Sequence, residues 1–172
     1  LLAELVQPLV FRRYLDYGVI GAIRALHEQI RHEAERRARA KPARINDIKL
    51  GRGGIREVEF SAQVFQLIRG GQEPELRVRP TLAVLGVAAR RGWLAQNVAD
   101  ELANAYVFLR KLEHRIQYLD DAQTHILPAS GDDRLAVARA MGFPDEASFM
   151  TVLDEHREFV AAQFDEIFAD KA

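Results

Sequence analysis

The sequence predicts an all-α bundle of about six helices, with a short glycine-rich loop or strand-like segment near residues 46–54. Three observations predict it. Val98, Leu102, Ala105, Leu109, Leu112, Ile116 and Leu119 step by four and three residues. That is an unbroken heptad-like stripe along about 33 Å of helix. Phe149, Leu153, His156, Val160, Phe164 and Ile167 make a second stripe that can cover the first. No alternating, strand-length pattern competes with either.

The elements follow in chain order. Pro8 opens a short turn of helix, "PLVFRRYLDYG", stopped by Gly18. Val19, Ile23, Leu26 and Ile30 recur at helical steps, and the pattern decays into the polar tail "RHEAERRARAK", with Pro42 beyond the helix stop; a basic run spans Arg36 to Arg44. That run reads as a solvated face and tail. Asp47 to Leu50 alternates charged and apolar residues and fits a loop or a short strand. Ile55 to Arg69 is a helix closed by Gly70-Gly71. Pro80 starts the next helix, which ends near Gly92, and Asn97 or Asp100 starts the longest one. A short helix runs from about Asp133 to Met141, and the last begins near Asp145. If fully buried, each large residue of the long stripe contributes roughly 2 kcal/mol.

Composition narrows the function classes. The chain has 172 residues, 48% hydrophobic and 28% charged, which suits a packed domain rather than a disordered one. A net charge of −1 gives no global basic field for nucleic acid. There is no cysteine, so disulfide and thiolate chemistry are excluded, as suits a reducing cytoplasm. No apolar run approaches the ~20 residues that span a bilayer. The opening "LLAELVQPLVF" is too short for a signal peptide and lacks its basic flank. The start at Leu1 rather than Met points to an internal piece of a larger protein, folded as one helical domain over residues 1–172.

The stretch "NDIKLGRGGIREVEF" carries the chemistry. Gly51, Gly53 and Gly54 free the backbone for positive φ and close approach. Ile55 opens a helix, so the amides from Gly54 to Glu57 are expected to point outward as unpaired donors, a ready anion site. Lys49, Arg52 and Arg56 surround them with positive charge. The same pattern fits a flexible interhelical loop with solvated basic residues, and it is neither a Walker A nor a Rossmann fingerprint. Arg56 lies in the first helical turn, where the macrodipole disfavours a cation by about 0.3–1 kcal/mol. A cation kept there points to an arriving anion. The helix itself is apolar around most of its circumference, with one polar stripe of Arg56, Glu59, Gln63 and Gln66. Either protein groups satisfy that stripe or it walls a polar cleft; its start at the glycine-rich loop favours the cleft.

Other constellations are weaker. His27, His32, His114, His125 and His156 show no zinc spacing, and His156 on an apolar stripe reads as a core histidine. Asp120-Asp121 sits near a helix end, and Asp132-Asp133 reads as a helix cap. No metal site is assigned, and no Ser/His/Asp arrangement appears.

"IKLGRGGIREVEFSAQVFQLIRGG", with "FRRYLDYG" upstream and "AYVFLRKLEHRIQYLDDAQTHILP" downstream, resembles the glutamine synthetase adenylyltransferase family. The resemblance continues through "AMGF" and "EHREFVAAQFDEIF", so it covers essentially the whole chain. These bifunctional bacterial enzymes attach AMP to glutamine synthetase and remove it. Each of their two halves is a nucleotidyltransferase-fold domain followed by a helical domain. "RRYLDYG" and "GGIREVEF" resemble the helical domain of the amino-terminal half, which uses phosphate to release ADP. One departure is plain: the Gly-Ser and Asp-x-Asp that hold magnesium in such enzymes are missing here, and "SGDD" at Ser130–Asp133 does not replace them. The resemblance therefore implies that the catalytic carboxylates and their Mg2+ lie upstream, and that this piece alone is inactive. It implies that Lys49, Arg52 and the amides of Gly53 and Gly54 meet phosphate oxygens, that Arg56 joins them, and that Glu59 and Gln63 orient the cations. Implied partners are glutamine synthetase and, through the full enzyme, a PII-type signal protein, with no nucleic acid and no membrane. The alternative is a non-catalytic module that docks glutamine synthetase or relays regulatory protein binding.

Overall fold

The structure is a computed structural model that describes residues 46–120, 124–129 and 131–169, together with scattered helical positions between 21 and 36. The expected turn of helix at Pro8–Gly18, and the basic run beyond Arg36, lie outside the described residues. Five helices have defined bounds: α1 (Ile55–Arg69), α2 (Thr81–Arg90), α3 (Gln96–Asp120), α4 (Gly131–Ala140) and α5 (Glu146–Phe168). A single 3-10 turn, Pro74–Leu76, links α1 to α2. With the helical positions upstream, this is the expected all-α bundle. The strand-like option for Asp47–Leu50 reduces to one isolated antiparallel bridge between Asp47 and Ile126.

Local chemistry sets the helix ends. Asp145 caps α5, its Oδ1 accepting from the Ser148 amide at 2.7 Å. Those bonds hold the Asp145 carboxyl below its ordinary value. Asp132 and Asp133, expected as a cap before α4, lie instead inside its first turn, where negative charge meets the positive end of the helix dipole.

The long stripe on α3 is buried where neighbours cover it. Leu102, Ala105, Leu109, Leu112 and Ile116 are buried, but Leu119 is 38% exposed. No single partner helix covers this stripe. Its first half packs against Val58 and Ala62 of α1, Val84 and Ala88 of α2, and Val160 of α5. Its second half packs against Val137 of α4, Phe149 and Leu153 of α5, Leu127, and both Ile48 and Ile55. Those last two flank the glycine-rich turn, so the turn is anchored at each end in the core. His156 is half-buried and packs on Phe108, ring centroids 4.7 Å apart. Burial lowers its pKa.

Candidate functional site

The turn before α1 is built from Asp47. Its buried carboxylate accepts from the Lys49 amide at 3.0 Å and the Leu50 amide at 2.8 Å. This is the local turn closure that an Asp favours. Ile48 donates its amide to the His125 carbonyl, and Leu127 donates to the Asn46 carbonyl. His125 Nε2 also lies 3.5 Å from Asp47 Oδ2. The turn is thus stitched to the segment entering α4.

The chain then folds back on itself. Gly51 donates to Asp47 O, Gly54 to Gly51 O, Ile55 to Ile48 O, Arg56 to Lys49 O and Glu57 to Gly54 O. Gly53 donates to Glu57 Oε2 at 2.9 Å. Glu57 stands third in the helix and reaches back to an amide before it, as a capping-box acid does. The expectation of unpaired amides from Gly54 to Glu57 is therefore corrected. Loop carbonyls and one carboxylate take the donors that a helix start otherwise leaves open. Burial pushes the Glu57 carboxyl above its ordinary value, and the Gly53 amide and Arg52 guanidinium only partly offset this.

Two glycines are fixed by this geometry. Gly53 has φ 68°, and a Cβ there would lie 2.6 Å from the backbone carbonyl carbon of Arg157 on α5. At Gly54 a Cβ would lie 2.7 Å from Gly51 O and 2.8 Å from the carbonyl oxygens of Ile48 and Lys49. The turn presses directly on α5, and the Arg157 side chain returns to donate to Arg52 O at 3.0 Å. Neither sequence-level option, open anion nest or flexible loop, describes this segment. It is a closed, packed turn.

What it presents outward is cationic side chains, each held by a carboxylate. Lys49 Nζ lies 3.1 Å from Glu113 Oε1 on α3. Arg52 makes a two-pronged pair with Asp165 on α5, at 2.5 and 3.3 Å. Arg56 Nη1 lies 3.5 Å from Glu59 Oε2, and the Tyr106 hydroxyl donates to the other oxygen of Glu59 at 3.5 Å. Side-chain exposure rises along the row, from 33% at Lys49 to 49% at Arg52 and 63% at Arg56. The three cations thus emerge from one turn, and three different helices hold them.

The polar stripe of α1 divides. Glu59 pairs with Arg56 at 3.5 Å. Gln63 is exposed and makes no side-chain hydrogen bond among the described residues. Gln66 donates to the carbonyls of Leu76 and Val78, closing the link to α2. Among the described residues no cluster of His, Asp or Glu could hold a metal. The acids nearest the turn are already committed, Asp47 to amides and Glu113, Asp165 and Glu59 to cations. This donor set does not fit magnesium.

Sequence reasoning missed Asp47, Glu57, Glu113, Arg157 and Asp165. Asp47 carried a local clue, an Asp two residues before the amide it caps. Glu113 carried another: it follows Leu109 by four residues and precedes Ile116 by three, on the shoulder of a buried stripe. Asp165 lies 113 residues from Arg52 and carried none.

Fold and turn together define a class: a helical bundle that presents a cationic turn, packed against α5, at the start of α1. Residues 24–168 match the family model described as GlnD PII-uridylyltransferase, and the chain belongs to that family. It is also similar to proteins named bifunctional glutamine synthetase adenylyltransferase/adenylyl-removing enzyme. The one from Burkholderia mallei is 61% identical over 99% of this chain, that from Aromatoleum aromaticum 59% over 98%, and that from Neisseria meningitidis serogroup B 46% over 96%. The chain spans about 18% of the length of these relatives. No helix among the described residues is long and apolar enough to cross a membrane.

Proposed function

We propose that this chain is the helical domain of a bifunctional glutamine synthetase adenylyltransferase/adenylyl-removing enzyme, in its deadenylylating half. It lines the cleft where inorganic phosphate displaces glutamine synthetase from the phosphorus of AMP and leaves as ADP. One observation carries the reading. The family model is described by uridylyl transfer, while relatives over the same residues are named for adenylyl transfer. What the two chemistries share is a nucleotidyl phosphate, not a base. A helical domain common to both serves the phosphate side, and the groups it offers there are Lys49, Arg52 and Arg56. Phosphoryl-type transfer depends chiefly on positioning and charge stabilisation, which held cations supply.

In this reading Gly53 and Gly54 give the turn its shape, and their amides serve the fold. The carboxylates that hold magnesium, where it neutralises phosphate charge, belong to another part of the enzyme. A PII-type signal protein acts through the full enzyme, in the cytoplasm. The test uses the intact enzyme with Arg52→Ala. Its pair with Asp165 is half-exposed, so stability should fall by no more than about 1 kcal/mol. Release of ADP from adenylylated glutamine synthetase should fall at least about tenfold, the worth of one charge-assisted contact. Unchanged turnover would remove the role given to the turn.

A further inference from the structure

Glu113 is 2% exposed, yet it faces two cations. Lys49 Nζ lies 3.1 Å from Oε1, and Arg110 Nη1 bonds Oε2. One comes from the turn and the other from α3 itself, a helical turn before Glu113. A buried carboxylate needs one partner to offset its desolvation; a second leaves a net positive charge at the surface. Both cations reach that surface, with side chains 33% and 38% exposed. An ammonium has three donors and a guanidinium five, and among the described residues each spends only one kind of contact, that to Glu113. Lys111 and Arg115, also exposed on α3, make no ion pair among the described residues and add to the positive field.

We infer that Lys49 and Arg110, pinned on the two oxygens of buried Glu113, form a two-cation seat for a phosphate group. Arg110 is a binding residue, and Glu113 is the positioning residue that holds both heads side by side. The assignment rests on the proposed function and deepens it. The group seated is either free inorganic phosphate or the phosphate of the AMP linkage, and two kinetic constants separate these sources.

The experiment uses the intact enzyme as wild type, Arg110→Ala, Arg110→Lys and Glu113→Gln. The KM for inorganic phosphate, the KM for adenylylated glutamine synthetase, kcat and the thermal midpoint are measured for each. Binding of inorganic phosphate alone is followed by calorimetry. Arg110→Ala should raise one KM about tenfold, the loss of one charge-assisted hydrogen bond. The midpoint should not move. Arg110→Lys, which keeps the charge, should recover most of that loss. Glu113→Gln should raise the same KM, and if it fails to fold, the two Arg110 variants decide alone. A rise in the phosphate KM, with weaker phosphate binding, places free phosphate in the seat; a rise in the other KM places the AMP phosphate there. If both KM values stay within twofold, or change only together with the midpoint, the triad merely ties the turn to α3 and the seat is refuted. An enzyme that binds phosphate in an Arg110-dependent way but releases no ADP would refute the proposed function and leave the seat standing.

Discussion

At Gly53 a methyl group has nowhere to go. The backbone is left-handed, and the Arg157 main chain of α5 fills the space a Cβ would take. Gly53→Ala should cost about 1–3 kcal/mol in chemical denaturation from backbone strain alone, and the turn would have to lift off α5 as well. A loss below ~0.5 kcal/mol would mean the turn does not pack as described. Four residues on, Glu57 makes a second prediction. Burial raises its folded pKa above the ordinary 4.5. The folded state therefore holds the proton more tightly than the unfolded chain. Its stabilising effect is complete below 4.5 and is lost as pH rises through the raised value. Glu57→Gln should flatten the stability profile across that window; a profile identical to wild type would contradict the burial. Neither residue's role was legible as such. The sequence announced glycines and a helix start, but which glycine takes positive φ, and which acid closes the amides, depend on α5 lying against the turn.

The helices themselves were largely legible, because periodicity reports burial directly. The α3 stripe is buried from Leu102 to Ile116, as its spacing predicted. Its end at Leu119 was not foreseen, because a heptad pattern says nothing about where neighbouring elements stop. Leu112→Ala should destabilise by about 2–5 kcal/mol, and Leu119→Ala by within about 0.5 kcal/mol. Equal losses at both sites would show that the stripe is covered along its whole length. Caps were legible in part. Asp145 caps α5 as its position before a helical run suggested, while Asp132 and Asp133 fell inside α4. A pair of acids before an apolar run marks a helix start without saying on which side of it they lie.

For the whole molecule, the cationic character of the turn was legible from Lys49, Arg52 and Arg56, and its anchoring from the apolar run beyond Ile55. The partners that hold the cations were not, since Glu113 and Asp165 arrive from distant helices through tertiary packing alone. That packing changes the picture of the site. Its amides serve the fold, and its three cationic side chains reach the surface, each paired with a carboxylate. The central claim is that this rigid turn presents cations to a phosphate. The most direct test is the rate of phosphate-dependent ADP release from adenylylated glutamine synthetase by the intact enzyme carrying Lys49→Ala, read beside its thermal midpoint. A fall of about tenfold or more in the rate at low phosphate, with the midpoint within a few degrees of wild type, is the expected result. Wild-type rates at every phosphate concentration in a folded variant would contradict it.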